Sequence, residues 1–394
     1  MTDRRLLLST RSLRLFAYGA LSVVLVFYLS ALGLTTSRIG LLLTLTLAGD
    51  TVVSLILTTR ADRVGRKRIL IAGAVLMAVA GLVFALTSNF LVLLITGTLG
   101  VISPSGNEVG PFLPVEQASL AHVVPPALRT SVFAWYTLAG AVATAIGSLV
   151  GGGLSDVFHS YRIVVLGYAA IGVLLAVSFG FLSPEVEVSA ASQSGALLGI
   201  GASRGIVFRL AGLFALDAFA GGFVVQSFAA YWFFLRFGAS PSTLGAIFFG
   251  ANVLAGISAL AASRLAARFG LVRTMVFTHL PSNVLLILVP LMPTLPLAIL
   301  LLFARFSISQ MDVPTRQSYL MAVVRPEERS AAAGISGVAR TTGAALAPSL
   351  VGLLFAHPAL ISVPFFAAGT LKIVYDLLLY RGFVSVRPAE EISR

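Results

Sequence analysis

The 394-residue chain has no cysteine, and only 11% of its residues are charged. A soluble globular domain carries roughly 25% charged residues. With so little charge and 58% hydrophobic residues, this chain is dissolved in lipid rather than in water. Acidic residues are the scarcer sign, 15 against 27 Lys and Arg, which gives a formal charge of +12 and a pI near 10.8. In a soluble protein that excess would point to nucleic acid. Here the placement of the basic residues accounts for it, and no nucleic-acid partner is expected. The lack of cysteine fits a disulfide-free inner membrane protein and decides little more. Walker-type Gly-Lys-Ser/Thr, a nucleophile elbow and metal-ligand spacings are also missing. No catalytic residue, metal or cofactor is therefore called for, and work done by the chain should draw on an ion gradient rather than on ATP hydrolysis. Met1 to Arg14 is basic, but no small-residue cleavage site closes the apolar run behind it, so no cleaved signal is expected.

Long apolar runs are abundant. Stretches of about 20 residues, enough to span a bilayer, recur and break at short polar or Pro/Gly/Arg joints. They place twelve spans near residues 12–33, 38–60, 69–88, 90–119, 130–154, 160–182, 206–236, 241–263, 271–291, 295–322, 328–355 and 358–380. Lys and Arg in the connections fall twenty on one side and three on the other, Arg38, Arg162 and Arg236, with Arg305, Arg316, Arg340 and Lys372 left inside spans. By the positive-inside rule both termini are cytoplasmic.

The least hydrophobic internal stretch, Ser183 to Gly195, reads as a linker. It divides the chain into a six-helix bundle at 1–182, a cytoplasmic linker at 183–205 and a second six-helix bundle at 206–394. The halves repeat one another. At an offset of 205, Gly33, Gly40, Arg63, Gly65 and Arg68 fall on Gly238, Gly245, Arg268, Gly270 and Arg273. At an offset of 200, Gln117, Leu120, Val123, Val124, Pro126 and Arg129 fall on Gln317, Leu320, Val323, Val324, Pro326 and Arg329. The first half thus has five extra residues between Arg68 and Gln117. Repeated six-span halves with a substrate path between them are a secondary-transporter plan.

The joint between spans two and three, Ala61-Asp62-Arg63-Val64-Gly65-Arg66-Lys67-Arg68, resembles the cytoplasmic loop signature of the major facilitator superfamily, Gly-x-Leu-Ala-Asp-Arg-x-Gly-Arg-Arg. The chain departs with Thr58 where Gly is usual and Arg60 where Leu is usual, and the second-half copy, Ala266-Ala267-Arg268-Phe269-Gly270, lacks the acid. The resemblance implies an all-α membrane fold of twelve helices in two pseudo-symmetric bundles, and a gating role for Asp62, Arg63, Gly65, Arg66 and Arg129. A fainter likeness lies in span five, where Gly147-Ser148-Leu149-Val150-Gly151-Gly152 is similar to the Gly-Pro-x-x-Gly-Gly signature of proton-linked efflux members, with Ser148 in the place of the proline. Close helix packing through small residues explains the same stretch without any statement about transport direction.

Ionisable residues inside spans are costly and usually face a partner or a water-filled path. Arg305, Asp312 and Arg316, spaced seven and four apart in span ten, fall on one face of an uninterrupted helix. Asp312 would then be held ionised between two cations, and Arg316 is a candidate gate. Arg316 aligns with Glu116, which suggests a pair across the halves. Asp50 and Asp217 have no basic residue within a helical turn and are candidates for carrying protons. For Asp50 a hydrogen bond to a neighbouring helix or to the loop motif twelve residues on is the competing reading. Lys372 and Asp376, four apart, are expected to satisfy each other. His122 and His279 stand alone and make a poor metal site.

Gly100 to Pro114, "GVISPSGNEVGPFLP", puts three prolines and three glycines in line with span four. Each proline removes a backbone donor, so the span should break between Val101 and Pro114. The break would present Ser103, Ser105, Asn107 and Glu108 to the pathway, and it is the expected place of the five extra residues. The partners expected are a small-molecule substrate, protons as coupling ion and the lipid of the inner membrane, with the protein a monomer. Proton-coupled export of a drug or metabolite is the first reading. A carrier of a small organic anion, using Arg305, Arg316 and Arg340, is the second. A transport-dead receptor would need a sizeable soluble appendage, which linker and tails do not supply.

Overall fold

The computed structural model describes residues 3–187, 203–325 and 328–386, and every regular element in them is helical. Most of the expected linker, 188–202, lies outside the described residues. Eleven helical segments among the described residues are long and apolar enough to cross a membrane. The twelfth expected span is the one built around "GVISPSGNEVGPFLP".

The first compact unit comprises Met1–Gln193 and Val225–Asn252. It holds α1 (Asp3–Ala31), α2 (Thr36–Val64), α3 (Arg66–Leu86), α4 (Phe90–Leu99), α5 (Phe112–Val123), α6 (Pro126–Val157) and α7 (Arg162–Gly180). It also holds α9 (Gln226–Phe237) and the opening turns of α10 (Pro241–Phe269). Helix α1 packs along α6 because glycines let the two backbones meet. A Cβ on Gly151 would lie 2.5 Å from the carbonyl oxygen of Ala20, and one on Gly147 would collide with that of Phe16. Span five's glycine pattern therefore serves packing in this fold.

Span four breaks where the prolines stand. Helix α4 ends at Leu99, α5 begins at Phe112, and Gly106 and Gly110 between them adopt φ of 72° and 78°, the left-handed region glycine tolerates. The five extra residues fall here. Helix starts Phe90 and Leu295 are 205 apart, whereas Phe112 and Asp312 are 200 apart.

The second unit, Ser194–Val224 with Val253–Arg394, holds α8 (Arg204–Gly222), the rest of α10, α11 (Leu271–Leu288), α12 (Leu295–Ser309), α13 (Asp312–Val323), α14 (Arg329–Phe355) and α15 (Val363–Phe383). Span ten is not the continuous helix expected from its sequence. It stops at Ser309 and restarts at Asp312, because Pro314 cannot donate to the carbonyl of Gln310 and disfavours helix at the residue before it. Its repeat-equivalent Pro114 has the same effect in span four, so each repeat carries a twelve-residue helix after a break. The buried aliphatic and aromatic residues of this unit, among them Phe214, Met275, Tyr319, Tyr375 and Leu379, form its core. Leu86, Ile95, Val157, Phe181, Leu260 and Leu300 are exposed on the outside, as a lipid-facing surface requires.

Candidate functional site

Each unit buries a cluster of ionisable side chains. In the first unit it is built on α1, the broken span and α6. Arg11 and Arg14, three residues apart on one face of α1, both reach Glu108 in the break, Arg11 through Nη1 and Arg14 through Nε at 3.2 Å. Arg14 also grips Glu116 of α5 with two parallel bonds, Nη1 to Oε1 at 2.7 Å and Nη2 to Oε2 at 2.8 Å. Tyr136 of α6 donates to Oε2 of the same carboxylate. Arg14 and Glu116 have no solvent exposure. Burying two ions is repaid only when their geometry is good and the remaining lone pairs are filled, and this two-pronged pair meets that condition. The guanidinium of Arg11 lies 4.0 Å above the Tyr136 ring and that of Arg14 4.4 Å above Phe112. Sequence reasoning missed both arginines because they were counted among the connecting charges, although Arg14 falls within span one at 12–33. Their three-residue spacing was the available signal.

The break itself is pinned from all sides. Asp50 accepts from the Gly110 N–H at 2.6 Å and from the Ser54 hydroxyl at 3.3 Å. Tyr168 donates to the carbonyl of Val101 at 2.7 Å, Tyr18 to that of Val109 at 3.2 Å, and Ser227 of α9 to that of Pro104 at 2.7 Å. Backbone groups released at membrane depth are thereby satisfied by protein. Asp50 thus anchors the broken span, which is the hydrogen-bonding alternative weighed for it from sequence. Ser103 is buried and donates to the Asn107 carbonyl at 2.7 Å, Ser105 is half-buried, and Asn107 is exposed. Beside the break, Gln226 of α9 donates to Ser22 of α1 at 2.9 Å and to Ser148 of α6 at 3.1 Å, and accepts from Asn252 of α10 at 3.3 Å. None of these four residues was singled out for this role in the sequence.

In the second unit the centre is Asp217, which is not the isolated carboxyl expected. Its Oδ1 accepts from Lys372 Nζ of α15 at 2.5 Å and its Oδ2 from Arg316 Nη1 of α13 at 2.8 Å, while His279 Nε2 of α11 stands 3.9 Å away. The expectation failed because these partners come from other helices, 155 and 99 residues along the chain for the two hydrogen bonds. Lys372 is consequently not the self-contained partner of Asp376. Asp376 instead meets His279 Nδ1 at 2.9 Å and accepts from Asn283 at 2.9 Å, so His279 does not stand alone. Arg316 keeps its contact with Asp312 one turn away, 3.3 Å, and the break in span ten falls between Arg305 and that pair, so the three do not share one continuous helix. Arg305 and Arg340 have no carboxylate within ion-pair distance among the described residues, although the charges of Asp217 and Asp312 act on both. Arg316 and Glu116, aligned by the repeat, each close on a partner in their own unit.

The two central pairs occupy equivalent positions. Gly19 of α1 and Gly222 of α8 each press on a backbone carbonyl, that of Thr144 and that of Ala344. This sets an offset of 203 for the first helix of each repeat, and Arg14 then falls on Asp217, as Glu116 falls on Arg316 at an offset of 200.

The family profile of the Major Facilitator Superfamily matches residues 7–236. The chain belongs to that superfamily. A Saccharomyces cerevisiae protein, uncharacterized membrane protein YJR124C, is 30% identical over 98% of this chain and 94% of its own length. Quinolone resistance protein NorA of Staphylococcus aureus is 30% identical over 40% of this chain and 38% of its own. Among solved structures, a bacterial homolog of the human lysosomal transporter Spinster, in an inward-facing and occupied conformation, matches with a TM-score of 0.77 at 16% identity over 98% of this chain and 97% of its own. The nucleoside transporter NupG matches with a TM-score of 0.77 at 15% identity over 97% and 99%. Both share the fold.

The loop resembling the superfamily signature turns at Gly65, φ 109°, between α2 and α3. Arg63 is exposed, whereas Arg66 is buried. The backbone N–H groups of Arg66 and Lys67 donate to the Glu187 carboxylate at 2.7 and 3.1 Å, capping the positive end of α3. Glu187, at the start of the linker, was not foreseen. The side chains of Asp62 and Arg129 lie outside the described residues.

Proposed function

We propose that the chain is a secondary active transporter of the inner membrane that exports a drug or metabolite in exchange for protons by alternating access, with both termini cytoplasmic. The observation that carries this reading is Asp217, one buried carboxylate faced by Lys372, Arg316 and His279. A carboxylate with several competing cationic partners can exchange one for another, and charges held inside a bundle mark ion pathways. The twenty-to-three distribution of connecting Lys and Arg supports the orientation. The partial likeness to NorA supports export of a drug-like molecule. On this reading Asp62, Arg63, Gly65, Arg66 and Arg129 form the gating loop.

The test is gradient-driven uptake of a fluorescent quinolone by everted vesicles that are acid inside. Accumulation is expected in the wild type, its loss on adding a protonophore, and its loss in Asp217→Asn. Accumulation that survives the protonophore overturns proton coupling.

A second reading, transport of a small organic anion, is favoured by Arg305 and Arg340, whose buried Nε atoms have no partner. A guanidinium without a carboxylate is suited to bind one. Melting of the detergent-purified protein separates the readings, since any native-state ligand raises the melting point. Carboxylates and phosphates should raise it under the second reading, with the effect lost in Arg305→Ala; lipophilic quinolones should raise it under the first.

A further inference from the structure

Of the four histidines, His279 is the buried one among the described residues. It lies on α11 with Asn283 one turn on, facing α15 and α8. Its Nδ1 is 2.9 Å from Asp376 Oδ1, and Asn283 donates to the other oxygen of that carboxylate at 2.9 Å. Two groups compete for Nδ1, the Asp376 carboxylate at 2.9 Å, which accepts, and the Asn283 amide nitrogen at 3.2 Å, which can only donate; the shorter, charged contact keeps the proton of the neutral ring on Nδ1. Nε2 is then left with its lone pair, pointing toward Asp217 Oδ1 at 3.9 Å, too long for a hydrogen bond and short enough for an ion pair. The Tyr375 ring closes one side, edge-on at 5.9 Å between centroids.

We propose that His279 is the proton-binding group of this transporter, taking its proton at Nε2 on the side turned to Asp217. The proposal rests on the proton-coupled reading above and assigns the site within it. The step moves a single proton. The Nε2 lone pair takes it from water and later gives it back to water, and no other bond forms or breaks. The imidazolium is flanked by Asp376 on one side and Asp217 on the other. It competes for Asp217 Oδ1, the oxygen that Lys372 Nζ holds at 2.5 Å. Loading the proton therefore loosens Lys372, which keeps only its contact to the Asp217 backbone carbonyl at 3.4 Å, and unloading restores the pair. A proton is thereby exchanged for the position of a lysine that joins α15 to α8, which is a mechanical output.

The charged and titratable groups of the cluster that includes the ring, either touching it or acting on Asp217 and Asp312, come from five helices. Asp376, Lys372 and Tyr375 come from α15, Asp217 from α8, Arg316 and Asp312 from α13, Arg305 from α12 and Arg340 from α14. Four cations accompany three carboxylates in this cluster, so a further positive charge is best placed between Asp376, which bonds the ring, and Asp217, which faces it at 3.9 Å.

The experiment is ¹⁵N NMR of histidine-labelled full-length protein in detergent, with His279 assigned by its loss in His279→Gln. Between pH 5 and 9 the His279 Nε2 signal should change from that of a bare to that of a protonated nitrogen while Nδ1 stays protonated. A ring fixed in one state over that range, or one whose Nδ1 changes instead, overturns the assignment. The quinolone assay separates site from coupling. His279→Gln should lose at least about tenfold of gradient-driven accumulation while quinolone still equilibrates down its own gradient. Gradient-driven accumulation retained in His279→Gln removes the site and leaves coupling standing; accumulation independent of the gradient in the wild type removes coupling. Should His279→Gln fail to fold, Asp376→Asn, which removes the ionised partner of Nδ1, must alter the titrating ring signal, and an unaltered signal overturns the assignment.

Discussion

Arg14–Glu116 in the first unit and Asp217–Arg316 in the second occupy equivalent positions with the charges exchanged. In one the cation stands on the first helix of the repeat and the acid after the break; in the other the order is reversed. The repeat has preserved where an ion pair is needed and not which end is positive, because a buried pair is paid for by its geometry and not by its polarity. Surroundings then diverge. The first pair is completed by Arg11, Glu108 and Tyr136, with the Arg11 guanidinium occupying the space beside Gly140. At the position equivalent to Gly140 the second unit has Arg340, and where the first has Arg11 it has Phe214. The first cluster is closed on itself, while the second retains arginines without a carboxylate and a histidine between two.

The strongest way to break this comparison is to break the pairs. Removing one member of a buried ion pair costs about 3–5 kcal/mol, so Glu116→Ala should lower the melting point of the purified protein by the largest amount predicted here. The double variant Arg14→Asp with Glu116→Arg reproduces the polarity of the second unit and should recover most of the loss. A double variant that melts no higher than Glu116→Ala would show the two positions are not interchangeable. Next in size is a contrast between two carboxylates. Asp217→Asn leaves Lys372 and Arg316 facing a neutral amide and should cost about 3 kcal/mol. Asp50→Asn keeps an oxygen for the Gly110 N–H and should cost only about 1 kcal/mol. Chemical denaturation of the two variants side by side orders them.

The spans, the break in span four and the repeat were legible because they are written in run length, in proline and glycine, and in register, all local properties. The break in span ten was missed, although Pro314 stands 200 residues after Pro114, because its flanks read as one apolar run. The partners were not legible. Glu108 meets Arg11 across 97 residues and Lys372 meets Asp217 across 155, distances over which helical periodicity carries no information. Lys372 and Asp376 illustrate the failure. Their spacing permits a pair on one helix, yet the bundle offers each a better-placed partner, and tertiary geometry wins over local spacing.

The unpaired arginines give a smaller test that sharpens the contrast between the clusters. Replacing a buried charge that lacks a partner by an apolar side chain of similar length removes a desolvation penalty and forfeits no ion pair. Arg305→Met should therefore leave stability within about 1 kcal/mol of the wild type or raise it, whereas Arg14→Met should lower it by several kcal/mol. Equal losses in denaturation would mean that Arg305 is as tightly paired as Arg14.

The smallest expected effect lies at the turn between α2 and α3. Glu187 accepts from the first two backbone amides of α3, while α11, its repeat-equivalent, begins after Gly270 with no side-chain cap. A carboxylate at a helix N-terminus contributes about 0.3–1 kcal/mol, so Glu187→Gln should speed hydrogen exchange at the Arg66 and Lys67 amides by roughly two- to fivefold. The amides of Leu271 and Val272 serve as the internal control and should exchange as before. Unchanged exchange at Arg66 and Lys67 would leave the linker without a hold on α3. Faster exchange confined to those amides would tie the start of the linker to the turn between α2 and α3, a hold that the charge reversal of the central pairs does not require.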